Sequence, residues 1–332
     1  MTSTAARKPK SRRSLVWAAV FVAALFGAYS AGWFYLADRV RTEAAQAIAA
    51  INVNGVNADC VNLAVSGYPL RFAVTCDALA YEDDARNIAA SSGSISAVAP
   101  FLQPMSPVIS LTGPLRTTAP GIVPLWLDWD RLRADTSLSW PLPERIALHA
   151  EGFSGQTDPQ DETDPVQLFS AGKAETILHP SGADLDVQVD FNDLQIDAEA
   201  VGGRVLPALD GIGDATLKNG LTLLATQPKS LRGQAIDFRQ LDLSSGTAGV
   251  SIAGPISVDA DGLIDANLTI KIQNPGAVSA HMVTAIPELK RQIEQGFSAL
   301  ALLGNAPSMP LKIVKGKASL GFIPLGRIGP VE

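Results

Sequence analysis

The sequence lacks the common catalytic signatures. It contains no Gly-x-Ser-x-Gly segment, no His-Glu-x-x-His segment and no phosphate-binding loop that ends in Gly-Lys-Ser or Gly-Lys-Thr. Serine hydrolases, zinc proteases and nucleotide-binding enzymes carry those side chains at those spacings. Histidine is scarce too, with only His149, His179 and His281. We therefore predict a non-enzymatic protein with no catalytic residue, no cofactor and no metal site.

Basic charge is scarce outside the N-terminus. Five of the 26 Lys and Arg residues precede position 14, and the other 21 face 33 Asp and Glu residues, so residues 37–332 carry a formal net charge of −12. Such a chain is a poor ligand for nucleic acid and is repelled by anionic lipid head groups. We predict no nucleic-acid partner, and lipid contact only through apolar side chains.

The sequence contains one long apolar run without charges, Leu15 to Leu36, directly after the five basic residues. Its 22 residues reach about 33 Å at about 1.5 Å per residue, enough to cross a hydrocarbon core about 30 Å thick. Trp17 and the Trp33-Phe34-Tyr35 cluster are expected at the two membrane interfaces, and the basic residues at the cytoplasmic side. The predicted units are a cytoplasmic tail at 1–14, a transmembrane helix at 15–36, a helical stalk at 37–51 and an exported domain at 52–332.

Two alternatives remain open for this segment. A signal peptidase could cleave before Ala31, where small residues precede the site. Ala23, Gly27 and Ala31 recur at four-residue spacing, which allows two spans to pack and the protein to form an oligomer through the helix.

Only two cysteines occur, Cys60 and Cys76. A lone pair of thiols in an oxidising compartment is expected to form a disulfide, and no Cys-x-x-Cys spacing favours the alternative of a redox pair. The two positions are symmetric about Tyr68. We therefore predict a hairpin whose turn, Gly67-Tyr68-Pro69, places the two cysteines directly opposite each other.

Alternating apolar and polar residues predict antiparallel strands with one apolar face, most clearly in "ADLDVQVDFND" and "IDANLTIKIQN". An amphipathic helix is predicted between Pro287 and Gly304, where it would cover part of the sheet. The predicted fold class is α+β, mostly antiparallel β, with a large curved sheet packed against this helix. The apolar residues predicted to line a groove are Leu185, Val187, Val189, Phe191, Ile264, Leu268 and Ile270.

Four segments together resemble a known bacterial family. They are "GYPLRFAVTCDAL", "LTGPLRTTAP", "LDWDRLRADTSL" and "GFIPLGRIGP", and they are similar to segments of the membrane-anchored family called domain of unknown function 2125. The resemblance implies a single inner-membrane span and a β-rich periplasmic part, and it implies no activity and no catalytic residues. "LIDANLTIKI" also resembles segments of the AsmA-like envelope proteins, whose curved sheets are associated with lipid transfer.

These observations favour cell-envelope maintenance through binding of a lipid or another apolar ligand. The first alternative is a periplasmic scaffold that holds another envelope protein through a sheet edge or the stalk. The second is a hydrolase with an unfamiliar site, for which His149 beside an acid in a polar pocket would be the sign.

The predicted orientation can be tested with reporters fused after Glu332. Alkaline phosphatase fused there should be active and green fluorescent protein should be dark, because the basic residues hold the N-terminus in the cytoplasm. A fluorescent fusion together with an inactive phosphatase would reverse the predicted topology.

Overall fold

The computed structural model describes residues 11–53, 55–139, 142–159, 163–226, 230–321 and 323–331. The predicted cytoplasmic tail therefore lies mostly outside the described residues. Four α-helices are present in the described parts of the chain: α1 (Ser11–Ile51), α2 (Gly220–Thr226), α3 (Pro275–Ala285) and α4 (Lys290–Ala301). The predicted span and stalk form one uninterrupted helix of 41 residues, and Ser14–Ile51 is long and apolar enough to cross a membrane.

Strands make up most of the rest of the chain. The first ten are β1 (Val56–Val61), β2 (Ala64–Ser66), β3 (Arg71–Cys76), β4 (Ala78–Asp83), β5 (Ile88–Ser92), β6 (Ile95–Pro100), β7 (Val108–Leu111), β8 (Leu115–Ala119), β9 (Ile122–Asp128) and β10 (Arg131–Ser137). The others are β11 (Arg145–Thr157), β12 (Gln167–Ser181), β13 (Asp184–Ile196), β14 (Leu209–Leu217), β15 (Ala235–Ser245), β16 (Ala248–Val258), β17 (Ile264–Gln273), β18 (Ser308–Val314), β19 (Lys317–Leu320) and β20 (Ile323–Arg327). All pair antiparallel in one sheet, so the predicted α+β, mostly antiparallel fold class is confirmed.

The registers show that the first ten strands are five longer strands, each interrupted once. Val61 on β1 opposes Ala78 on β4, and Ala64 on β2 opposes Thr75 on β3, so one register runs through both pairs. Strands β9 and β10 likewise pair with successive parts of β11. The sheet is therefore an antiparallel meander of five interrupted strands followed by ten continuous ones, in chain order.

The interruptions of neighbouring strands lie side by side, and we call this line the seam. At the seam, the Asp77 N–H donates to the Val61 carbonyl at 2.8 Å, and the Asn62 amide donates to the Asp77 carboxylate at 2.7 Å. Asn62 adopts a φ of 57°, which its short polar side chain tolerates. The indole of Trp129 is buried and donates to the Leu111 carbonyl at 2.8 Å. Side chains thus connect adjacent strands where the regular ladder stops.

The disulfide between Cys60 and Cys76 crosses the seam and joins β1 to the end of β3, with the two Cα atoms 5.4 Å apart. The hairpin with Gly67-Tyr68-Pro69 in its turn is present, but the predicted register is wrong. Ser66 opposes Ala73, which centres the hairpin between Pro69 and Leu70, and Cys60 opposes Leu79 rather than Cys76. The position of the turn explains the shift, because β1 continues the register that the turn sets for β2 and β3. The disulfide therefore joins the two strands diagonally.

The helices near the C-terminus cover one end of the sheet's apolar face. Buried Val278 on α3 packs against Ala248 and Ile272, and Phe297 and Leu300 of α4 join this cluster. A second cluster centres on Ala266, Leu268 and Ile313. The predicted helix at 287–304 is α4 preceded by a 3₁₀ turn at Pro287–Leu289. Sequence periodicity did not reveal α3, because its apolar residues do not follow one helical face.

Removing the disulfide should destabilise the domain. Cys60→Ala and Cys76→Ala should each lower the free energy of unfolding by about 3 kcal/mol, because the bridge closes a loop with a sequence separation of 16 in the unfolded chain. Urea unfolding of the detergent-solubilised protein measures this. The double variant is the control: a loss well beyond that of either single variant would mean that the cysteines act independently.

Candidate functional site

One face of the sheet is apolar across the strands from β12 to β18. Directly opposed residues share a face, and one such row joins Val189, Gly213, Leu241, Ile252 and Ile270. The predicted groove residues Val189 on β13 and Ile270 on β17 therefore lie on the same face although three strands, β14 to β16, lie between them. Both side chains are half-buried.

Phe191 lies in the next row of this face, opposite Gly211. A Cβ atom at Gly211 would lie 2.3 Å from the ring of Phe191, so glycine leaves the space that the ring occupies. The row continues to Leu243, Val250 and Ile272. Val187 and Ile264 also point to this face and are half-buried.

Two of the predicted groove residues are instead part of the packed core. Leu268 is 6% exposed within the cluster of Ala266 and Ile313. Leu185 is equally buried, and α2 approaches it so closely that a Cβ atom at Gly220 would lie 2.6 Å from the Leu185 Cβ. The open part of the apolar face is therefore narrower than predicted, because α2 and the second cluster close its other end.

A cavity of about 230 Å³ lies between the apolar face and α3. Its lining is almost entirely apolar and includes Leu209, Leu243, Val250, Val278 and Met282. The few polar groups at its wall are His281, Ser244 and Ser245. The sequence analysis missed this site because α3 forms its roof, and because His281 showed no motif that linked it to β15 and β16.

The opposite face of the sheet is polar and carries charged networks. His149 lies 3.5 Å from a carboxylate oxygen of Asp135 and 3.5 Å from one of Glu175. Its register partner is Arg133, which pairs with Asp135 at 2.5 Å. His149 is thus joined to acids, but on a half-exposed strand surface shared with an arginine. In the described residues, no three His, Cys, Asp or Glu side chains converge in a way that could hold a metal ion.

A second network on the polar face centres on Arg239, which lies at a bulge in β15. Its guanidinium donates to Asp186 at 2.9 Å and to Asp214 at 2.9 Å. The Thr216 hydroxyl donates to Asp186 at 2.6 Å. The Thr216 hydroxyl and the Arg239 guanidinium hold the pKa of Asp186 below its ordinary value of 3.8. Bonds to Asp214 and Asp186 raise the pKa of Arg239.

The helix α1 docks on the sheet through an aromatic cluster. Trp33 is 2% exposed, stacks on Phe72 with ring centroids 5.3 Å apart, and meets the ring of Tyr68 edge-on at 5.3 Å. Tyr29 contacts Phe101 at 5.1 Å. The structure buries Trp33 against the first hairpin, and its predicted place at the membrane interface stays a prediction. Phe34 and Tyr35 are exposed.

Comparison with known families assigns the chain. Residues 33–329 match a protein family called domain of unknown function 2125. Its description is "uncharacterized protein conserved in bacteria". The chain belongs to this family. The match covers the whole sheet, α2, α3 and α4, and it begins at Trp33. The family description names no activity, so membership adds no catalytic residue. No curated protein matches the chain, and the likeness to AsmA-like envelope proteins stays a prediction.

The lowered pKa of Asp186 predicts a pH-dependent contribution to stability. A depressed carboxyl pKa stabilises the fold above the unfolded-state value, and this contribution is lost as pH falls through the folded-state value. Asp186→Asn should therefore be less stable than the parent at neutral pH, and the difference should shrink as pH falls below 3.8. Unfolding titrations at neutral and acidic pH measure it.

Asp190→Asn, on the same face of β13, is the matched control and should keep the parent's pH dependence. Equal acid sensitivity of the parent and Asp186→Asn would contradict the assignment.

Proposed function

We propose that this protein binds the acyl chain of a lipid, or a ligand of the same chemistry, on the apolar face of its sheet, as part of bacterial cell-envelope maintenance. The ligand occupies the cavity between α3 and strands β14 to β16. The protein is anchored in the inner membrane by α1, carries its sheet in the periplasm and catalyses no reaction. Family membership and the long apolar helix support anchorage.

The observation that carries this proposal is the cavity of about 230 Å³ on an apolar face that its helices cover only in part. Ligand sites are concave, mostly apolar and provided with a few polar groups that fix orientation. Leu243, Val250 and Met282 supply the apolar wall. His281 and Ser244 suit the carboxyl or ester end of a lipid, because both can hydrogen-bond to oxygen.

A scaffold that acts through a sheet edge, one of the two forms of that alternative, requires an edge strand that is free to pair. Both edges of the meander are poorly suited to this, whereas the stalk form of the alternative does not depend on them. Strand β20 contains Pro324, which has no N–H to donate to an added strand. At the other end, the Asn52 side chain bonds to both backbone groups of Ala58, at 2.9 Å to its carbonyl and 2.5 Å to its N–H. Blunted edges of this kind disfavour strand addition.

The hydrolase alternative has weaker support in the geometry. His149 lies beside two acids, but at 3.5 Å and on a half-exposed face. A catalytic base is held in place by a third group at hydrogen-bond distance, about 2.6 to 3.2 Å, and both carboxylates lie farther than that from His149. The carboxylates instead place His149 in a surface charge network with Arg133.

Photocrosslinking tests the proposal. Cells that express the full chain are fed a diazirine-labelled palmitate, the protein is irradiated and purified, and labelled peptides are mapped. Label should appear on β15, β16 and α3 as well as on α1. Met282→Glu should reduce labelling of β15 and β16 by at least about tenfold, because it places a carboxylate against the alkyl chain.

Leu289→Glu is the matched control, since Leu289 is exposed to a similar degree, 45% against 37% for Met282, and does not line the cavity. It should leave labelling unchanged. Label confined to α1 in the parent protein would refute lipid binding by the sheet while leaving the anchor intact.

A further inference from the structure

We propose that three loops at one end of the sheet insert into the leaflet on the C-terminal side of the α1 span. These apolar loops are residues 67–70, residues 101–107 and the described residues 138–139 and 142–143 of the connection between β10 and β11. The occupant is the lipid surface itself, and the contact is separate from the cavity under α3. The inference rests on the proposed membrane anchorage by α1 and not on the proposed ligand binding.

Helix α1 is aligned with the first strand of the sheet. Tyr29 donates its hydroxyl to the Pro69 carbonyl, and the Ser30 and Tyr68 hydroxyl oxygens lie 2.7 Å apart. At the other end of the contact, Asn52 bonds to Ala58. The helix therefore runs antiparallel to the β1–β2 strand, from the hairpin turn at Tyr29 to the start of β1.

The length of the span before Tyr29 indicates the depth of the hairpin turn in the membrane. Leu15 to Tyr29 covers fourteen rises of about 1.5 Å, or about 21 Å, and falls about 9 Å short of a hydrocarbon core about 30 Å thick. Tilting the helix increases the number of residues needed. The hydrocarbon must therefore extend past Tyr29 toward Phe34 and Leu36. The hairpin turn bonded to Tyr29 lies at the same depth.

The loops at this end of the sheet are apolar and exposed. The sequences of these residues, "GYPL", "FLQPMSP", "LS" and "LP", contain no charged residue. Leu70 is 76% exposed and Leu102 is 89% exposed, and Met105, Leu138 and Leu142 are exposed as well. The Leu138 N–H donates to the Met105 carbonyl at 2.7 Å, so the second and third loops are in contact. Together the loops form a contiguous apolar edge beside the span.

At the opposite ends of the same strands, the β8–β9 hairpin is also uncharged, but two other connections carry charge. The turn between β4 and β5 carries Asp84 and Arg86, and the connection between β11 and β12 carries Asp158 and Asp164. Charged side chains are tolerated in loops that water surrounds, whereas loops that enter the hydrocarbon must lack them. The asymmetry matches a membrane on the α1 side.

Basic side chains directly follow the first and third apolar loops in the sequence. Arg71 begins β3 after the first loop, and Arg145 begins β11 after the third, with Glu144 before it. Arg41 follows the span on α1. These positions suit lipid phosphate groups, because guanidinium ions bind phosphate well and anchor segments at the interface.

Depth-dependent quenching tests the inference on the full chain. Because Cys60 and Cys76 are paired, Leu102→Cys introduces a single free thiol for an environment-sensitive fluorophore. The labelled protein is reconstituted in phosphatidylethanolamine and phosphatidylglycerol vesicles that contain brominated acyl chains. The fluorophore at 102 should emit at shorter wavelength and be quenched several-fold more by the brominated lipid than by aqueous iodide.

Ile122→Cys is the matched control, since Ile122 is an exposed apolar residue, 58% accessible, in the β8–β9 hairpin at the opposite end. Its fluorophore should be quenched by iodide and not by brominated lipid. Equal quenching at both positions in protein that resists carbonate extraction would overturn the inference and leave the anchor standing. Extraction by carbonate would instead refute the anchor, and with it both claims about the membrane.

Discussion

The contact between Trp33 and the first hairpin determines how the sheet is held relative to α1. A single connection from a helix to a domain would normally leave the domain free to swing. Here Trp33 is buried against Phe72 and Tyr68, and Tyr29 and Asn52 fix two further points along the same helix. Offset and edge-to-face aromatic pairs stabilise such contacts beyond the area they bury. The helix is therefore fixed along the first strand. This contact sets the orientation of the sheet relative to α1, because each later strand pairs with the strand before it.

The meander transmits that orientation from neighbour to neighbour. In the described residues, each strand from β12 to β18 pairs only with the strands before and after it in sequence, so these two neighbours set its place in the sheet. Because most apolar side chains fall on one face, the sheet cannot bury them by itself, and α2, α3 and α4 cover only the ends of that face. A half-buried strip is left between. In an ordinary packed domain this strip would be closed, since large apolar patches are rarely left open to water.

Much of this architecture followed from two-residue periodicity and one long apolar run. The strands β13 and β17, the α1 helix and the pairing of the cysteines were predictable because each depends on local pattern or composition. The hairpin register was not, because the turn is centred between Pro69 and Leu70 and not on Tyr68, which places Cys60 opposite Leu79. Leu268 and Val189 occupy equivalent positions in the alternating pattern. Only the packing of Ile313 against Leu268 shows that Leu268 belongs to the core and not to the open face. The cavity depends on α3, whose apolar residues show no periodic face.

Sheet twist explains why the apolar loops are confined to the strands nearest α1. Neighbouring strands rotate by about 20 to 25° on average, so the ends of later strands turn progressively away from any plane that the first strands touch. The turn after β12 accordingly leads into Asp184, which is paired with Lys218 at 2.9 Å, and not into another apolar loop. Strand β15, at the cavity, lies nine strand spacings of about 4.8 Å, or about 43 Å, along the sheet from the strand beside α1. An acyl chain in the cavity, as we propose, would therefore lie well away from the proposed membrane contact, and this separation suits shielding the chain in water better than extracting it at the bilayer surface.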